Sequence, residues 1–249
     1  MAKLIFIFFI LTHIIQAKVI NIASIDWCPQ LCPQEHKDGY IIDILEELFK
    51  NSPYTLNIKS YPWTRSIAMT KRGQVLALLS PAKAEAPYLS YPKLEVGKQM
   101  MCFFTKKEST WTYKGTKSLK NLKIGIASDT SIEELNEYVK NNPKQFQYLP
   151  YSQTYIEQSI KKLQHNRFDT FLFTKNSTIY KINSLGLKKK FRIAGCVSSA
   201  SIYMAFTPKE NLKEEVGEVI EYFDSKMYKL KKTNVIEKIM KSYGLTLWY

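Results

Sequence analysis

Histidine is scarce in this chain. Of three in 249 residues, His13 lies in the opening apolar stretch, which leaves His36 in a loop and His165 at the end of a predicted helix. Neither a Ser/His/Asp nor a Cys/His catalytic set assembles from such positions. Phosphate-loop and zinc-ligand spacings are missing too. No catalytic residue, metal ligand or cofactor is therefore assigned. Arginine is also rare: Arg65, Arg72, Arg167 and Arg192 are the only four, in a chain of formal net charge +14. Proteins that read nucleic acids favour arginine forks for phosphates and bases. Here the positive charge is lysine, set beside glutamates in 209–232 or in loops such as Lys188-Lys189-Lys190. That pattern describes a solvated surface, and no nucleic-acid partner is expected. Beyond residue 17, no run reaches the ~20 apolar residues that span a bilayer.

The opening residues are a different matter. Met1-Ala2-Lys3 is a short basic start, and Leu4 to Ile15 is apolar except for Thr12 and His13. Gln16-Ala17 closes the run before Lys18-Val19-Ile20 changes its character. A basic n-region, a short apolar h-region and a small residue at the end have the form of a secretory signal. The competing reading is a retained anchor helix, for which the run is short. The expectation is cleavage of residues 1–17 and a periplasmic, soluble mature protein. An apolar content of 45% is ordinary for a chain that builds a core.

Export changes how the four cysteines are read. Cys28 and Cys32 flank a Pro-rich loop and form a candidate disulfide in an oxidising compartment. A half metal site is the rival, with His36 its one nearby ligand. Cys102 lies in an apolar run and reads as a buried small hydrophobe. Cys196 reads either way, and the spacing does not decide whether these two pair.

Hydrophobic periodicity predicts a strand at 18–23 and a helix from Asp38-Gly39-Tyr40 with Ile41, Ile42, Leu45, Leu48 and Phe49 on one face. A strand at 54–60, a short helix opened by Pro62-Trp63-Thr64 and closed by Gly73, and a buried strand at 75–79 follow. After a proline-rich break at 82–92 come a long strand at 96–105 and a polar connector. The alternation then resumes: strand 123–127, helix 131–140, strand 145–149, helix 154–164, strand 168–173, helix 177–184, strand 191–194. A separate strand at 201–206 and helices at 211–230 and 234–242 close the chain. Such alternation predicts mainly parallel α/β sheets flanked by helices.

The order of elements, the export signal and a set of local motifs resemble the bacterial extracellular solute-binding proteins of family 3. The motifs are Asp26-Trp27-Cys28-Pro29, Gly39 to Phe49, Tyr61-Pro62-Trp63-Thr64-Arg65 and Ser80-Pro81-Ala82-Lys83 before Pro87-Tyr88-Leu89. Lys123-Ile124-Gly125-Ile126 and Tyr203-Met204-Ala205-Phe206 complete the set, and together they cover the mature chain. The resemblance implies the type II periplasmic binding fold, with two lobes joined by two crossing segments. Lobe 1 would be 18–105 plus 199–249, and lobe 2 would be 106–198. It also implies a small polar solute bound between the lobes by hinge closure, a monomer, and an ABC permease or sensor kinase as membrane partner. A dehydratase-like periplasmic enzyme on the same fold and an orphan binding module are the alternatives.

Each candidate ligand contact has a structural competitor. Trp27 either stacks on a ligand at the mouth of the cleft or fills the core. Trp63 and Arg65 share a strand-to-helix turn, where Arg65 forks a carboxylate or holds the turn. Ser80 ends a buried strand and is placed to face the cleft. Lys83 stands near where amino-acid binders of this family carry an arginine, and an ammonium cannot make that bidentate grip. Ser128 and Thr130 precede or start a helix, where an anion or simple capping would use them. There Asp129 opposes an anion and suits a cationic group. Thr174 follows the strand at 168–173, and no acid comes immediately after that strand, in the region where the family often places one.

Overall fold

A computed structural model describes residues 17–33, 37–128, 132–150, 152 and 154–249. Residues 1–16 of the expected signal segment 1–17, together with His36, Asp129 and Thr130, lie outside the described residues. The chain begins with β1 (Lys18–Ser24), α1 (Tyr40–Phe49), β2 (Tyr54–Ser60), α2 (Trp63–Lys71), β3 (Ala77–Ala82) and β4 (Gly97–Lys106). It continues through β5 (Ile124–Ala127), α3 (Asn136–Asn141), β6 (Phe146–Leu149), α4 (Tyr155–Gln164), β7 (Thr170–Thr174) and α5 (Lys175–Ser184). The last elements are β8 (Phe191–Phe206), α6 (Lys213–Lys231) and α7 (Val235–Ser242).

These strands form one mixed eight-stranded sheet in the order β2-β1-β3-β8-β4-β7-β5-β6. The order repeats itself inverted. β2-β1-β3 is a parallel trio with β8 antiparallel beside it, and β6-β5-β7 is a parallel trio with β4 antiparallel beside it. The two antiparallel strands pair with each other from Gly97↔Ile202 to Lys106↔Phe191 and so join the halves. In β8, residues 202–206 lie against β3, whereas β4 meets β7 at 101–104.

The helices cover these sheets for the reason their periodicity gives. On α1, Ile41, Ile44, Leu45, Leu48 and Phe49 are buried, and they pack with Val219 and Phe223 of α6 and with Ile236 and Met240 of α7. The fully buried Phe223 alone contributes about 2–3 kcal/mol of transfer free energy. Every residue of β3 is buried, Ser80 and Pro81 included, so the strand runs three residues past the apolar run 75–79. Two further clusters occupy the second half, one holding Leu163 and Phe171, the other Ile126 and Val139.

Three expectations need correction. The strands predicted at 191–194 and 201–206 are one sixteen-residue strand. Polar Ser198 to Ser201 lie between the two cores, so hydropathy fades there while pairing to β4 continues. Of the helix predicted at 131–140, the described part is a 3-10 turn at Glu133–Leu135 followed by α3. Cys102 is buried as expected but is disulfide-bonded to Cys196, its direct cross-strand partner. Cys28 and Cys32 form the second disulfide. Among the described residues no helix is long and apolar enough to cross a membrane.

Candidate functional site

Ligands of open α/β sheets bind beyond the carboxyl ends of the strands. In the first half, that rim begins with the loop after β1. Trp27 is half-buried against the main core and closes a small turn through its N–H to the Leu31 carbonyl, 2.8 Å. The Cys28–Cys32 disulfide ties the turn, and the Tyr40 N–H donates to Pro29 O at 3.0 Å. The loop packs so tightly on the start of α1 that a Cβ on Gly39, whose φ is 108°, would lie 2.5 Å from Gln30 O. Only glycine meets both demands there.

At the end of β2, Trp63 is the first residue of α2 and packs half-buried on the cluster around Leu78 and Ala205. Arg65 is exposed, with its guanidinium 5.2 Å above the Tyr61 ring. Ser80 lies inside β3 rather than at the end of a strand 75–79 as expected, within the register shift between Leu79 and Ala82. It has the left-handed φ of 69°, is 3% exposed, and its Oγ has no hydrogen-bond partner among the described residues. The exposed Lys83 holds its ammonium 4.9 Å from the Tyr203 ring centre and 5.7 Å from that of Tyr91. No ion pair involves Lys83 among the described residues. Burial, with Glu85 and Tyr88 nearby, pushes the Tyr91 phenol up to about 12, so it stays neutral beneath the lysine.

In the second half, Ser128 follows β5 and is used locally: its Oγ and its N–H both donate to Leu149 O, at 3.2 and 2.9 Å. Thr174 ends β7 and is 6% exposed, with Oγ1 unpartnered among the described residues. The structure therefore places Trp27, Trp63, Arg65, Ser80 and Lys83 on the rim of one trio, and Ser128 and Thr174 on the rim of the other.

Two hydrogen bonds join these rims. Gln30 Nε2 donates to Ser177 Oγ at 3.1 Å, and Asn176 Nδ2 donates to the Tyr40 hydroxyl at 3.3 Å. Tyr40 is fully buried, and burial raises its phenol well above the ordinary tyrosine range, although the Asn176 bond opposes this. Gln30, Tyr40 and Tyr203 are absent from the candidates read from sequence. Gln30 carries no signal of its own; it stands out only once the disulfide loop is folded onto α5. A groove of about 550 Å³ between α1 and β2 is lined by Asp38, Ile42, Glu46 and Leu56 and reaches Ser24 and Ser60 at the ends of β1 and β2. Among the described residues no cluster of His, Cys, Asp or Glu could hold a metal ion.

This arrangement has close counterparts among solved structures. The chain has the periplasmic-binding-protein fold. A histidine kinase sensor domain with similarity to periplasmic binding proteins superposes at TM-score 0.67 and 15% identity, over 93% of this chain and 98% of that one. The probable amino-acid ABC transporter extracellular-binding protein ytmK of Bacillus subtilis gives 0.69 and 17%, over 91% and 97%. A chain from the study of glutathione import via GshT and the cystine ABC importer TcyBC of Streptococcus mutans gives 0.70 and 18%, over 92% and 96%. No protein-family model and none of the curated proteins matches the sequence. With this fold, the two trios and the β4–β8 ribbon correspond to the architecture that the resemblance implied.

Proposed function

We propose that this periplasmic-binding-protein fold is a non-enzymatic solute-binding protein of the family 3 type. It captures a small polar solute between its two halves and presents it to an ABC permease or a sensor kinase. One observation carries the reading. Ser80, in the second half of β3, and Thr174, at the carboxyl end of β7 in the opposite half, both bury hydroxyls that no described residue satisfies. An unmade hydrogen bond of this kind costs about 1–3 kcal/mol, and a polar ligand between the rims removes the cost on both sides. The lobes are 18–105 plus 199–249 and 106–198, and closure bends the β4–β8 ribbon. Solved structures of this fold include both transporter-associated binders and a kinase sensor domain, which supports the two classes of partner. Export with loss of residues 1–17 places the monomeric protein in the periplasm, where both disulfides persist.

A thermal-shift screen of the mature protein against amino acids, organic acids, polyamines and short peptides tests this. A ligand at 100 times its dissociation constant adds about 2.7 kcal/mol, or roughly 5–10 °C for a domain of this size. The shift is expected from one chemical class, weakened in Trp63→Ala. Silence across the panel, with turnover of any member, refutes the binding role.

A further inference from the structure

We propose that the junction of β7 and α5 is an anion subsite, where a ligand carboxylate docks on the first turn of the helix. The inference rests on the solute-binding reading and adds a polarity to it. No loop separates the two elements: Thr174 is the last residue of β7 and also the N-cap of α5, with φ −61° and ψ 131°. The leading N–H groups of a helix have no intrahelical acceptor, and an N-cap threonine ordinarily accepts from one of them. Thr174 makes no such bond. Its hydroxyl is buried and idle at the place where backbone donors need a partner.

Charge points the same way. α1, α3, α4, α6 and α7 each carry an acid in the first turn, as the helix dipole favours. The exceptions are α2 and α5, whose first turns contain Arg65 and Lys175 instead. A cation there opposes the dipole. Lys175 is half-buried and has no ion pair among the described residues. A water molecule would satisfy the hydrogen bonds but leave this charge uncompensated. A carboxylate accepts from the free amides and from the Thr174 hydroxyl, and it neutralises Lys175 at the same time. A ligand cation would face the positive helix end and the lysine together. The Gln30–Ser177 and Asn176–Tyr40 bonds join the same turn to the first half, so the subsite lies where the two halves meet.

Calorimetric titration of the mature protein with succinate, citrate, glutamate, spermidine and inorganic phosphate tests the assignment, using wild type, Lys175→Gln and the near-isosteric Thr174→Val. At least one carboxylate is expected to bind wild type, and its dissociation constant to rise about tenfold in each variant. Unliganded melting temperatures serve as the folding control; if Thr174→Val fails it, Lys175→Gln alone decides. A carboxylate that binds both variants as tightly as wild type overturns the subsite. Binding of spermidine alone or of phosphate alone also overturns it, while leaving solute binding intact. No binding by any probe, with none in the wider screen, overturns both readings.

Discussion

Ser80→Gly should stabilise the empty protein while weakening its hold on ligand. Ser80 carries two local costs. Its φ of 69° lies in the region that disfavours residues with a Cβ, worth about 1 kcal/mol relative to glycine. Its buried Oγ lacks a partner, worth a further 1–3 kcal/mol. Glycine removes both, at the expense of about 1 kcal/mol of added backbone freedom in the unfolded chain and the lost contacts of one small side chain. The net expectation is a gain of about 1–2 kcal/mol, or roughly 2–8 °C in melting temperature for a domain of this size. If the hydroxyl meets the ligand, the same change costs binding about 0.5–1.5 kcal/mol, or roughly a 2- to 12-fold rise in dissociation constant. Differential scanning calorimetry of the unliganded protein and titration of whichever solute the screen yields measure the two effects. Lower stability with unchanged affinity would refute the reasoning, since it would make Ser80 a structural residue whose conformation is relaxed.

Two further outcomes follow from the same geometry. The Cys102–Cys196 bridge closes a loop of sequence separation 94, and Cys28–Cys32 closes one of only 4. In the loop-entropy model these are worth about 4–5 and about 2 kcal/mol. Paired alanine substitutions compared by urea unfolding should therefore cost more at the long loop, and equal losses would contradict the model. At Gly125, a Cβ would fall 2.2 Å from the Phe168 ring, and Phe168 is buried. Gly125→Ala should destabilise by about 1–3 kcal/mol in a chemical melt, and Phe168→Leu in the same chain should recover part of the loss.

Much of the scaffold is legible in the sequence because strand and helix periods are local properties. The face of α1 built from Ile41, Leu45, Leu48 and Phe49 can be read from spacing alone, as can the apolar run 75–79 that leads into β3. Legibility fails where pairing outlasts hydropathy. Ser198 to Ser201 look like a break, yet β4 supplies their hydrogen bonds, so β8 runs on. The site divides in the same way. Ser80 and Thr174 stand out in the sequence as polar residues just past buried apolar runs, but that the strands extend to include them, and that their hydroxyls have no partner among the described residues, depends on what surrounds them. Gln30 reads as an ordinary loop residue until the Cys28–Cys32 turn carries it to Ser177, 147 positions away.

By itself, then, the sequence determined the alternation of elements, the scarcity of histidine and arginine, and the apolar runs that become strands. Each of these is set by short-range spacing or by composition. Tertiary structure decided the rest: that Cys102 stands opposite Cys196, that the halves join through one long antiparallel ribbon, and that α5 starts without a cap beside an unpaired lysine. These are relations between distant segments. They arise only when burial and hydrogen bonding bring the segments together, and the proposed ligand polarity rests on them.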